Sequence, residues 1–235
     1  MRFIGDILKV GFFYYGPRLW RLGSVIPLEK LQESKGREEV IREILIKYPA
    51  VEIEQGATFY RLRKNPVNPV AATEYDSPPG GNSGLGRMDS RNFPVLYCST
   101  GIDTCIHECR VTLEDDLFVA KLSCKVPLRV LDLSVQVEED GDEFESLGVA
   151  TGMLFNAPIH AYEIIRAIAK AAFKKGLDGV IYPSYFSAVH SADLPFVNVA
   201  FFGRPIAENK LAVDCVNRLV LQRVKYEYSF GPGAF

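Results

Sequence analysis

The sequence predicts an α+β fold, and three observations carry that expectation. From residue 57 onward the chain is strand-rich, with strands and helices following one another irregularly rather than in βαβ alternation. One strongly amphipathic helix lies late, between residues 158 and 175, and residues 1–56 read as a helical preface unlike the rest. The composition is globular: 235 residues, 48% of them hydrophobic and 24% charged. A chain of this length buries roughly 70–75% of the surface its unfolded form exposes, so it needs no disulfide or metal staple to fold.

The preface is taken as residues 1–56 and the main domain as 57–235. An aromatic lead-in, Phe12-Phe13-Tyr14-Tyr15 with Trp20, is expected to pack onto the main domain. Leu28 to Tyr48 carries Val40, Ile41, Ile44 and Leu45 at helical spacing, which predicts an amphipathic helix broken near Gly36 and stopped at Pro49. Residues 57–63, alternating and rich in aromatic and β-favouring side chains, predict a strand. Between Asn65 and Asn92 the density of Pro and Gly predicts a long loop. A strand is expected at 94–98, a helix from Ile102 to Arg110, and strands at 117–126 and 128–133, followed by an acidic turn over 138–145. Pro158 suits the first turn of a helix with the stripe Ala161, Ile164, Ile165, Ile168 and Ala172, stopped by Gly176. Further strands are predicted at 180–182, 196–202 and 211–224, before a frayed C-terminal tail.

Charge and cysteine usage narrow the class. Lys and Arg number 27 against 29 acids, a formal net charge of −2, with no basic run, which disfavours nucleic acid as an obligate partner. The five cysteines are an odd count that matches no disulfide framework, so a reduced, cytoplasmic setting is expected. The longest charge-free run, Ser146 to Tyr162, holds Asn156, Pro158 and His160 and is too short to span a membrane; no membrane association is expected.

The loop Gly80-Gly81-Asn82-Ser83-Gly84-Leu85-Gly86 fits no phosphate-binding motif, because Arg87-Met88-Asp89 follows in place of Gly-Lys-Ser/Thr and no strand–turn–helix order surrounds it. It reads instead as a loop that delivers Arg87. Cys105, His107 and Cys109 do not make a zinc site: His107 points nearly opposite the face that Cys105 and Cys109 share, and no second ligand pair follows. No metal is therefore expected. His160 and His190 are isolated, and Ser187 and Ser191 form no nucleophile elbow. Glu108 has two readings, a surface carboxylate paired with Arg110 or Lys121, or an acid in a cleft facing Arg61 and Arg87.

Tyr60-Arg61, Gly86-Arg87-Met88, Leu96-Tyr97-Cys98-Ser99, Glu108 and Ile181-Tyr182-Pro183-Ser184, in this order, resemble the RES domain, named for its Arg, Glu and Ser. Ten positions separate Arg87 from Tyr97 and eleven separate Tyr97 from Glu108, as in that family, and the resemblance covers about residues 57–205. Two departures stand out: Asp89 where the family often has Asn, and Tyr185 rather than a basic residue after Ser184. The resemblance implies an ADP-ribosyltransferase-like mixed β-sheet core with flanking helices. It also implies cleavage of NAD+ at the nicotinamide–ribose bond, by hydrolysis or by phosphorolysis with inorganic phosphate as co-substrate, and no resident cofactor. Many members are toxins, so an antitoxin protein is an expected partner. In this reading Glu108 and Tyr97 are catalytic: Glu108 stabilises positive charge developing on the ribose, and Tyr97 stacks on nicotinamide or holds the ribose. Arg61, Arg87 and Ser184 bind substrate, the arginines through two-point forks on the pyrophosphate. Transfer of ADP-ribose to a macromolecule, and nucleotide binding without chemistry, remain as alternatives.

Overall fold

A computed structural model describes residues 25–79, 81, 86–139, 146–156, 161–184 and 197–224. The aromatic lead-in, Gly80, the 82–85 stretch, most of the acidic turn, Pro158, His160, residues 185–196 and the C-terminal tail lie outside the described residues.

The chain enters through two helices, α1 (Ile26–Gln32) and α2 (Ser34–Lys47). Pro27 fits the first turn of α1, where its missing N–H would have had no helical partner. The expected break near Gly36 falls instead at Glu33, which is extended at φ −94°. Gly36 lies inside α2 and serves close approach: a Cβ there would stand 2.6 Å from the Lys30 carbonyl oxygen of α1. The pair stops before Pro49, as expected. Leu28 and Leu31 of α1 and Val40, Ile41 and Ile44 of α2 bury into one core with Ile165, Ile168, Ala169 and Ala172 of a later helix, α5 (Tyr162–Lys174). Arg37 adds an ion pair to Glu163 at 2.7 Å. The described part of the N-terminal segment is thus built into the core.

Eight strands form one sheet among the described residues: β1 (Ala50–Ile53), β2 (Thr58–Lys64), β3 (Val95–Ser99), β4 (Leu117–Cys124), β5 (Leu128–Asp132), β6 (Gly179–Pro183), β7 (Val197–Phe202) and β8 (Leu211–Leu219). Their order is β1-β5-β6-β7-β3-β2-β4-β8, antiparallel throughout except for β5 with β6. The fold is α+β with a mixed sheet and flanking helices, as predicted.

The short link from Cys124 to Leu128 shapes this sheet. It reaches at most about 14 Å, whereas in a flat sheet β4 and β5, five places apart, would stand about 24 Å from each other. The sheet must therefore curl, and residues of both halves meet in one cluster: Phe59, Ala120 and Leu122 with Leu128, Val130 and Phe201. The rings of Phe59 and Phe201 pack edge to face at 5.4 Å. The opposite face of β5, β6 and β7 carries the helical core.

The connection from β5 to β6 holds α5 and an unforeseen helix, α4 (Leu147–Asn156). A short helix, α3 (Ile102–Glu108), follows β3 and turns Cys105 toward Leu62, Leu117 and Val119. All five cysteines are free thiols. No helix among the described residues is long and apolar enough to cross a membrane.

Candidate active site

The site grows from the middle of β3. Tyr97 points its hydroxyl at the turn that carries Arg87: it accepts from the backbone N–H of Met88 at 2.8 Å and of Asp89 at 3.1 Å, and donates to Asp89 Oδ1 at 2.9 Å. Burial, and then the Asp89 charge, push this phenol well above its ordinary range, so it stays protonated. One proton and two lone pairs are the whole capacity of a phenol, and all three are engaged. Tyr97 therefore offers the cavity its ring, while its hydroxyl fixes the loop. Asp89, the residue that departs from the resemblance, accepts the hydrogen bond that the Tyr97 hydroxyl donates. Gly86 is needed at this junction, because a Cβ would overlap the Asp89 carboxylate and come within 2.7 Å of the Tyr97 hydroxyl.

Two arginines hold the loop against the helices. Arg87 Nη1 donates to the Phe155 carbonyl at the end of α4, and its guanidinium lies 5.7 Å from the Tyr162 ring centroid. Arg166, one turn along α5 from Tyr162, donates to the Gly86 carbonyl at 2.9 Å and stands 5.8 Å from the same ring. Arg61 on β2 is only 7% exposed and donates to the Tyr97 carbonyl at 2.9 Å and the Asp76 carbonyl at 3.1 Å. Its Nε has no partner among the described residues. Burial, with Arg63 adding to it, brings its pKa down to about 10, which still leaves it charged at neutral pH. The expected open fork at Arg61 is thus partly closed on backbone carbonyls, joining β3 to the Asp76 turn.

Glu108 ends α3, where a carboxylate is disfavoured by the negative end of the helix dipole. Neither Arg110 nor Lys121 is its hydrogen-bonding partner here. Its Oε1 accepts from Ser184 Oγ at 2.6 Å and from Asn198 Nδ2 at 2.8 Å. Asn198 Oδ1 in turn accepts from the Ser99 hydroxyl. Ser99, Ser184 and Asn198 are all buried.

These groups surround one cavity of about 270 Å³. Arg61, Arg87, Tyr97 and Glu108 line it, with Tyr162, Tyr182 and Asn198; Ser184 joins through its bond to Glu108. Tyr182 stacks on Phe155 at 5.2 Å. Among the described residues no three His, Cys, Asp or Glu side chains gather as a metal site. A second hollow, of about 390 Å³, lies by the N-terminus of α4, but there Glu139 already accepts from the Leu147 and Gly148 amides and from Ser146. It offers no comparable meeting of arginines, aromatics and acid.

Asn198, Tyr162 and Arg166 were not singled out from sequence, and Ser99 entered only as the end of the Leu96–Ser99 motif, with no role of its own. Asn198 had a signal, being the one amide within the apolar stretch Phe196–Phe202. Tyr162 and Arg166 had only an i, i+4 spacing on a helix that looked ordinary.

The structure is a curled mixed sheet that sets an acid, arginines and tyrosines around one cavity. The family model for the RES domain matches residues 58–221, well over half of the chain, and the chain belongs to the RES domain family. No curated protein matches in sequence. Among solved structures, a chain from the crystal structure of the M. tuberculosis MbcT–MbcA toxin–antitoxin complex is similar, with a TM-score of 0.52 at 18% identity over 78% of this chain and 93% of that one. At that identity the likeness speaks to the fold.

Proposed function

We propose that this protein cleaves the nicotinamide–ribose bond of NAD+ and passes the ADP-ribosyl unit to water or inorganic phosphate. The observation that carries the reading is Glu108: a carboxylate held at one oxygen by Ser184 and Asn198, on the wall of a cavity that also presents Arg61, Arg87, Tyr97 and Tyr182. Nicotinamide leaves as a neutral base when the C1′–N bond breaks and its electron pair stays on nitrogen, so no general acid is required. Positive charge then develops on the ribose, and a fixed carboxylate with its hydrogen bonds already made can stabilise it without reorganising. Water adds its oxygen to C1′ and releases a proton, giving ADP-ribose; phosphate oxygen in its place gives ADP-ribose 1″-phosphate.

In this reading Arg87, on the loop anchored by Tyr97, meets the pyrophosphate, and Arg61 adds positive charge from the floor. The Tyr97 and Tyr182 rings flank the nicotinamide. Family membership, together with a fold like that of a chain in a toxin–antitoxin complex, supports a toxin-type enzyme controlled by an antitoxin protein and working in the cytoplasm. The catalytic unit is taken as residues 57–235, with the preceding helices packed into its core and β1 added to the edge of its sheet. Chromatography of NAD+ incubated with the protein, with and without inorganic phosphate, tests the reaction. Free ADP-ribose identifies hydrolysis, a phosphate-dependent product identifies phosphorolysis, and label on a macromolecule identifies transfer.

A further inference from the structure

Ser99 closes the Leu96–Ser99 motif, yet the reaction proposed above gives it no task. It is buried at the end of β3, directly across from Asn198 on β7 in the sheet register. Its hydroxyl donates to Asn198 Oδ1, and Asn198 Nδ2 donates to Glu108 Oε1 at 2.8 Å. We infer that Ser99 is a positioning residue for Glu108, acting through the Asn198 side-chain amide; the inference rests on the NAD+ reading of the site.

The direction of the chain follows from donor counting. An ionised carboxylate only accepts, so Asn198 must turn its NH2 toward Glu108 and its carbonyl oxygen away. The two ends of an amide have nearly the same shape, and a half-turn of the group would set oxygen against oxygen beside the charge. A hydroxyl that donates to Oδ1 removes that alternative. The relay thus runs from Ser99 to Asn198 to Glu108 and ends on the negative charge, the sense in which successive bonds polarise one another favourably. Stability alone does not call for this arrangement, because replacing both partners of a buried hydrogen bond by apolar groups of similar shape is nearly neutral. Two buried polar side chains facing each other across β3 and β7, one of them bonded to the acid that lines the cavity wall, are better explained by what they do to that acid.

Turnover, Michaelis constant for NAD+ and melting temperature of Ser99→Ala, Ser99→Thr, Glu108→Gln and the double variant Ser99→Ala/Glu108→Gln test the inference. Ser99→Ala is expected to lower kcat about tenfold, equivalent to the loss of one modest hydrogen bond in the transition state, with the Michaelis constant and melting temperature little changed. Ser99→Thr, which keeps the hydroxyl, should recover most of that loss. In the Glu108→Gln background the Ser99→Ala change should do nothing more, because its effect passes through the carboxylate. Full turnover in Ser99→Ala, an equal loss in both backgrounds, or a well-folded Ser99→Thr no better than Ser99→Ala would each overturn it. A wild-type protein inert toward NAD+ overturns the proposed function instead. The relay then stands or falls on the Asn198 side-chain amide NMR signals, which must shift in both Glu108→Gln and Ser99→Ala; signals unmoved by Ser99→Ala overturn it.

Discussion

Replacing Glu108 by Gln alters charge with almost no change in shape, and its cost can be worked out from the site. Glu108 Oε1 accepts from Ser184 and Asn198. A glutamine can keep both bonds by turning its carbonyl oxygen toward them, which leaves its NH2 where the second carboxylate oxygen had been. The fold should therefore lose little stability. What disappears is the attraction between the carboxylate and the positive charge that grows on the ribose. For unit charges about 4 Å apart in a medium of effective dielectric near 20, that attraction is about 4 kcal/mol. Only part of it is specific to the transition state, so a loss of about 3 kcal/mol, or roughly 10²-fold in kcat, is expected. The assay is the initial rate of nicotinamide release at saturating NAD+, with the Michaelis constant and melting temperature measured on the same preparation. A folded Glu108→Gln protein that turns over within a few-fold of wild type would return Glu108 to a structural role.

Four further outcomes are expected. Tyr97→Phe should strand the Met88 and Asp89 amides and the Asp89 carboxylate, costing about 1–3 kcal/mol and lowering the melting temperature by about 2–4 °C per kcal/mol in a chain of this size; calorimetry checks it. The Tyr97 phenol is held protonated above its ordinary value of 10.0, so the unfolded chain releases this proton first and stability should fall as pH rises past about 10. Denaturant titrations at stepped alkaline pH should show a shallower decline in Tyr97→Phe. Arg61→Lys should lower stability, because a lysine cannot reach both the Tyr97 and Asp76 carbonyls as one planar fork does, whereas Arg87→Lys should mainly raise the Michaelis constant for NAD+. Gly86→Ala should weaken NAD+ binding, since the new methyl group displaces the Asp89–Tyr97 contact that sets the Arg87 loop; calorimetric titration with NAD+ measures it.

The parts of the fold that were legible in the sequence are those whose pattern is local. Strands β2, β3 and β7 alternate or run apolar between clear turns, and α5 carries a full stripe closed by Gly176, which adopts a φ of +79°. Strand β1 was missed because four residues with one acid at an edge leave too short a pattern, although it pairs with β5 over its whole length. Helix α4 was missed because its residues are apolar around nearly the whole circumference, so no period of 3.6 appears. Gly36 was misread because a glycine that breaks a helix and one that lets two helices touch look alike until the partner is placed. At the site, Arg61, Arg87, Tyr97, Glu108 and Ser184 came from an ordered set of short motifs. Their division of labour did not, because whether an arginine faces a ligand or a carbonyl depends on chain segments far apart in sequence. Asn198 and Ser99 share a register that only the β3–β7 pairing reveals.

The proposed function requires that this cavity cleave NAD+ at its nicotinamide–ribose bond. Proton NMR of NAD+ and purified wild-type protein in one tube, in phosphate buffer, follows NAD+ and nicotinamide together. Nicotinamide should appear in a one-to-one ratio with NAD+ lost, while the Glu108→Gln protein should leave the spectrum almost unchanged over the same interval. NAD+ that stays intact with folded wild-type protein, or nicotinamide released equally fast by Glu108→Gln, would contradict it.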